Sequence, residues 1–159
     1  MFRKMRRFKQ QISEEECREI LKQEPRGVLS LIGDNGYPYE IPMDHWYCEE
    51  DGKLYFHGAK EGHKIDAIEK CDKASYCVYD KGFRKEGEWA LNIKSVVVFG
   101  RLRPIHDVEK SMKICRELCG KFTEDQEYIE HEVKHAGPHV LCLEFTPEHM
   151  TGKDRKSVV

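Results

Sequence analysis

The sequence predicts a mainly β fold, an antiparallel barrel with helices added to it, on three observations. Short turn signals, DNG at 34–36 and EEDGK at 49–53, join consecutive extended stretches as hairpins require. The run LNIKSVVVFGRLRPI at 91–105 is long, rich in β-branched residues and only weakly alternating, which suits a strand buried on both faces or bent around a barrel. The order of elements is a helix, three hairpin-linked strands, a helix, two strands, two helices and a last strand, which favours an antiparallel barrel over an alternating parallel sheet.

Ser13 with Glu16 is a capping-box pattern, and Ile12, Cys17, Ile20 and Leu21 give the helix that follows one apolar face before Pro25 ends it. GVLSLIG at 27–33 reads as a buried strand, and YPYEIPMDHWYCEE at 37–50 as a second extended stretch. Pro38 and Pro42 each remove a ladder donor, so this stretch belongs at an edge, a bulge, or a place where something other than a strand faces the backbone. LYFHGA at 54–59 is the third strand, and HKIDAIEKC at 63–71 a helix with Ile65, Ile68 and Cys71 on one face. ASYCVYD at 74–80 follows, then a polar stretch at 81–88 and the long run at 91–105. Asp107 caps a helix whose Met112, Cys115, Leu118 and Cys119 form a stripe and whose stop is Gly120; TEDQ at 123–126 reads as a second capping box. PHVLCLEFTPEHM at 138–150 completes six strands.

A chain of 159 residues, 39% hydrophobic, supports one domain over 1–159 with a basic N-terminal arm (1–11) and a C-terminal tail (153–159). Its 27 Lys and Arg against 29 Asp and Glu leave a net charge of −2, which is not the balance of a nucleic-acid binder. Acidic residues Glu40, Asp44, Glu49, Glu50 and Asp51 likewise oppose reading the aromatic run at 37–47 as a single-stranded nucleic-acid surface. No apolar run approaches a membrane span and the N-terminus lacks the apolar core of a signal peptide, so a cytoplasmic protein is expected. Seven cysteines, an odd count spread through helices and strands, fit reduced thiols. CRELC at 115–119 and HEVKH at 131–135 each place two ligand types at i and i+4, but the thiols coincide with the apolar stripe, and Gly137 and Pro138 separate His139 from the other histidines. No metal is expected.

The most informative stretch is LYFHGAKEGHKIDAIEKC at 54–71, where a strand hands over to a helix through a glycine-bearing turn. Such a turn exposes unpaired N–H groups at the positive end of a helix dipole, a ready site for an anion such as phosphate. Gly58 and Gly62 permit close backbone approach, Lys60 and Lys64 add charge, and His57 or His63 can donate a further hydrogen bond. Spacing of this kind alone is equally met by a plain turn with solvated lysines.

The segments at 27–47, 51–70, 95–105 and 148–153 together resemble the flavin-binding split-barrel proteins related to pyridoxamine 5′-phosphate oxidase, most closely the nitroimidazole-resistance (Nim) branch. The resemblance implies a six-stranded split barrel that forms a homodimer with FMN at the interface. It implies that Pro42, Met43, Asp44 and His45 meet the polar edge of the flavin ring, and that His57, Gly58, Ala59, Gly62, His63 and Lys64 hold the ribityl phosphate. Ser95, Val96 and Val97 would contribute from the partner subunit, with Thr151 and Gly152 near the same cavity. The basic strand with which pyridoxamine phosphate oxidases grip the FMN phosphate has no counterpart around 28–43.

The reaction so implied is reduction of a small electrophile, a nitroaromatic or quinone, by an FMN-dependent oxidoreductase. Without a GxGxxG fingerprint, an NADH or NADPH donor would visit transiently. His45 and His57 are the candidate proton donors, each equally able to act as a structural hydrogen-bonder. Alternatives are a non-catalytic flavin- or heme-binding protein or sensor, a deazaflavin as guest, or a pyridoxamine phosphate oxidase-like enzyme.

Overall fold

The computed structural model describes residues 1–157. Strands β1 (Arg26–Ile32), β2 (Pro38–Asp44), β3 (Trp46–Cys48), β4 (Lys53–Gly58), β5 (Lys73–Tyr79), β6 (Phe83–Arg84), β7 (Leu91–Ile105) and β8 (Leu141–Ser157) form one antiparallel sheet. Helices α1 (Glu14–Gln23), α2 (His63–Lys70), α3 (Val108–Gly120) and α4 (Gln126–Ala136) are added to it. This is the mainly β split barrel that the sequence predicts, with eight strands in place of six. The expected second strand divides at His45 into β2 and β3, and the polar stretch at 81–88 contains the two-residue β6, too short to show a pattern.

Sheet order is β2-β1-β5-β7-β8-β4-β3, with β6 on β7. The two ends of that order, β2 and β3, are consecutive in the chain and separated by His45 alone. A sheet whose opposite edges are joined by one residue has to curl until those edges meet, and this closes the barrel. Pro38 and Pro42 accordingly lie on an edge strand, where the missing N–H costs no ladder bond.

The barrel interior is filled by Leu29, Leu31, Leu54, Phe56, Tyr76, Val78, Val96, Val98, Leu102, Leu143 and Phe145, each at most 2% exposed. Phe56 meets Tyr76 edge-to-face at 5.0 Å and Phe145 at 6.5 Å, contacts worth about 0.5–1.5 kcal/mol each beyond burial. Helix α1 plugs one end with Cys17, Ile20 and Leu21, and its capping box forms as predicted: Ser13 Oγ accepts from the Glu16 N–H at 3.1 Å and Glu16 Oε2 from the Ser13 N–H at 3.1 Å. On β4, Leu54, Tyr55 and Phe56 are buried consecutively because both faces are covered. Tyr55 packs outward, with Cys48 and Cys142, under Ile114, Cys115, Leu118, Ile129 and Val133 of the α3–α4 hairpin.

Three terminal and capping expectations change. Asp125, not Thr123, caps α4, accepting from the Tyr128 N–H at 3.0 Å, since Thr123 Oγ1 is taken up by the Asp125 N–H. The N-terminal arm is docked: Phe2 stacks on His149 at 4.7 Å and Phe99 at 5.8 Å, and Gln11 bridges Lys153. The tail from Lys153 to Ser157 continues β8 against β7, while 158–159 lie outside the described residues. Among the described residues no helix is long and apolar enough to cross a membrane, and no group of three or more His, Cys, Asp or Glu is placed to hold a metal ion.

Candidate functional site

His45, where the barrel closes, is fully buried with every polar atom engaged. Its N–H donates to Pro25 O at 3.1 Å, and its carbonyl accepts from Lys121 Nζ at 2.6 Å. Nε2 lies 2.6 Å from Leu21 O, which can only accept, so the proton sits on Nε2 and Nδ1 faces the Tyr76 hydroxyl at 2.8 Å. Burial first, and the Lys121 ammonium second, push its pKa down to about 4. This corrects the assignment of His45 to a flavin edge or to proton delivery: the ring is neutral, enclosed and fully used in holding the seam. Tyr76, whose hydroxyl oxygen lies 2.8 Å from both His45 Nδ1 and Met43 O with one proton to share between them, and Lys121 escaped the sequence reading. Gly27 was the available signal, because a Cβ there would lie 2.7 Å from the Tyr76 ring.

The predicted strand-to-helix turn is present and has the expected conformation. β4 ends at Gly58, Ala59 to Gly62 are exposed or nearly so, and Gly62 precedes α2 at φ 120°, a value only glycine adopts readily. Among the described residues no side chain caps α2, and the Gly62 carbonyl serves Ile65 and Asp66, which leaves the first N–H groups of the helix directed out of the turn. Lys64 folds back over Gly58: a Cβ at Gly58 would stand 2.5 Å from Lys64 Nζ. The half-buried ammonium has only the Met43 thioether, at 3.7 Å, as hydrogen-bond partner among the described residues, and burial lowers its pKa. His63 turns elsewhere, stacked on Tyr39 at 3.9 Å with Nε2 3.7 Å from Asp34.

Beside the turn, a cavity of about 220 Å³ opens between the barrel and the α3–α4 hairpin. Asp44 and His57 line it on the barrel side, and Leu118, Phe122 and Val133 on the helical side. Asp44 is held by Arg26 Nε at 2.6 Å. The His57 ring makes no hydrogen bond among the described residues; partial burial, then the nearby Lys64, lower its pKa against the opposing pull of Asp44. Of the two candidate histidines, His57 alone is available to a ligand. Behind the cavity, Cys115 and Cys142 face each other at 3.8 Å, and that contact together with burial raises the pKa of Cys115.

Most of the remaining predicted residues lie on the outer wall. Cross-strand pairing aligns Pro42, Val28, Cys77, Val97 and Thr151 across five strands, all partly or fully exposed. Ser95 faces the same way, opposite Tyr79 and Lys153. Val96 is a correction, since its side chain is 0% exposed in the barrel interior. Gly152 is another: its carbonyl accepts from the Ile12 N–H at 3.1 Å, and Cys17 and Ile12 occupy the space a side chain would need.

The family model described as pyridoxamine 5′-phosphate oxidase matches residues 13–154. No curated protein matches the chain at a significant level. Among solved structures, a candidate 5-nitroimidazole antibiotic resistance protein from Bacteroides thetaiotaomicron superposes with a TM-score of 0.74 at 22% identity, covering 91% of this chain and 86% of that one. A conserved hypothetical protein from Mycobacterium tuberculosis gives 0.80 at 16% identity over 98% of each chain. A protein from Mycobacterium smegmatis described as binding FAD and heme gives 0.70 at 18% identity, covering 91% of this chain and 72% of that one. At these identities the likeness is one of fold.

Proposed function

The chain belongs to the pyridoxamine 5′-phosphate oxidase family, and from that premise we propose that it is an FMN-dependent oxidoreductase reducing small electrophiles such as nitroaromatics or quinones. The observation that carries this reading is Lys64. A half-buried ammonium without a carboxylate partner among the described residues, folded over a glycine beside an uncapped helix N-terminus, is the arrangement a phosphomonoester satisfies. Gly58, Ala59 and Gly62 leave the backbone open to it, and Lys64 supplies the charge.

When bound, the flavin would supply the two-electron chemistry, accepting from a visiting NADH or NADPH and passing on to the substrate. The chain's own part is to bind, orient and enclose. Met43 and Asp44 are fixed on the seam by Tyr76 and Arg26, and so present a rigid edge next to the turn. His57, whose pKa partial burial lowers, lines the cavity, where it can hold or give up a proton. The outer row of Pro42, Val97 and Thr151, together with Ser95, is read as the face that meets a second copy and completes the cofactor site in trans.

The visible spectrum of the purified protein tests this. Flavin absorption, with FMN identified by chromatography of the heat-released fraction, is expected. A Soret band in its place, or a colourless protein that takes up no added FMN, would overturn the reading.

A further inference from the structure

The cavity under the α3–α4 hairpin has a charge character that the proposed function does not use. Its helical wall is apolar, built from Leu118, Phe122, Val133 and Ala136, with Phe122 55% exposed at the mouth. Its acidic lining groups are Asp44, which Arg26 holds at 2.6 Å, and Glu132; among the described residues no lysine or arginine lines it, and burial holds His57 toward its neutral form. The nearest ammoniums are committed elsewhere: Lys64 lies over Gly58, and Lys121 donates to two backbone carbonyls.

We propose that this cavity is the substrate subsite, and that it takes a small flat aromatic molecule that is uncharged or carries a positive group, while rejecting carboxylates and phosphates. Apolar walls of this size bury a single ring. An anion entering would be desolvated beside Glu132, with the Arg26 guanidinium already held by Asp44, whereas a cation or a neutral hydrogen-bond donor meets Glu132 favourably. The namesake substrate of the family, a phosphate monoester, is therefore excluded from this subsite. This rests on the flavin reading only in naming the site a substrate subsite.

The test is equilibrium dialysis of the full-length protein, as purified and after flavin removal, against three matched probes: 4-nitrobenzylamine, 4-nitrobenzyl alcohol and 4-nitrobenzoate. The amine and alcohol are expected to bind about tenfold more tightly than the benzoate, the effect of one like charge about 4 Å away in a partly solvated site. Glu132→Lys should reverse the order of amine and benzoate, and Cys119→Trp, which fills the cavity from its partly exposed wall, should weaken all three. Flavin content is read separately from absorbance. Probe selectivity in a protein that takes up no flavin would support the subsite and defeat the proposed function. Benzoate binding as well as the amine, or an unaltered order in Glu132→Lys, would overturn the subsite whatever the flavin content.

Discussion

Lys121 Nζ, at the end of α3, lies 2.6 Å from the carbonyl oxygen of His45, the one residue between the two edge strands of the sheet. The same ammonium also donates to Glu24 O at 2.9 Å. One side chain thus ties the helical hairpin that roofs the cavity to the seam where the barrel closes. Burial lowers its pKa to about 8, but the two carbonyls it serves keep it in place.

Lys121→Ala would leave those carbonyls without their donor. An unmet buried acceptor costs about 1–3 kcal/mol, and the lysine that serves both is itself only partly buried, so a total near 2 kcal/mol is expected. In a chain of this size that is a fall of roughly 4–8 °C in Tm. Lys121→Met, which keeps the packing but not the donor, should behave likewise in a thermal melt; a Met variant at wild-type Tm would show the carbonyls to be solvated.

Acid should loosen the same seam. The His45 pKa is about 4 in the fold against 6.5 for an unhindered imidazole, so between those values the unfolded chain binds more protons. Stability is therefore fully present above pH 6.5 and is lost as pH falls toward 4, by up to about 3 kcal/mol from this group. His45→Gln, which cannot titrate, should flatten that part of a stability profile measured by urea unfolding from pH 4 to 7. A mutant profile as steep as the wild type would assign the loss to other groups.

Much of this was legible because local signals and tertiary placement agree. The β7 run was bounded residue for residue, and the capping box of α1 and the prolines of the edge strand each declared a backbone constraint that the fold obeys. The glycine turn at 58–62 was readable for the same reason, being a matter of chain conformation. His45 was not. Its type suggested chemistry, and only the closing of the sheet, a contact between residues distant in sequence, shows it enclosed by Leu21 and Tyr76. Lys121 and Phe122 follow the end of α3 and Glu132 sits on the polar side of α4, and no periodicity tells which helix faces and helix ends share a cavity.

The phosphate assignment can be tested without disturbing the fold. Lys64→Ala removes the ammonium at a partly exposed position and should lower FMN affinity by about ten- to a hundredfold, as expected for loss of a charge-assisted hydrogen bond. Gly58→Ala would place a methyl 2.5 Å from Lys64 Nζ and push the ammonium off the turn while leaving its charge, so a smaller loss is expected. Gly62 suits this poorly, since any side chain at φ 120° adds strain of about 1–3 kcal/mol that is unrelated to binding. Titration of the apoprotein with FMN by fluorescence quenching gives the three affinities. A Lys64→Ala protein with wild-type affinity would remove the phosphate from this turn.

The outer row supplies the last prediction. Val97 lies between Cys77 and Thr151 on the exposed face of the long strand, with its neighbours Val96 and Val98 turned into the core, so a change at Val97 reaches the outer surface without touching the barrel interior. If that face meets a second copy, Val97→Lys buries an unpaired charge in the interface from both subunits. That costs about 3 kcal/mol or more, roughly a hundredfold in the dimer Kd. Sedimentation velocity at micromolar concentration should then show monomer, and flavin should be lost together with the dimer, because a cofactor site completed in trans cannot outlive its partner. A Val97→Lys monomer that retains its flavin would separate the two, leaving the interface in place and confining the cofactor to one subunit. A dimer unchanged by the substitution would move the interface to another face.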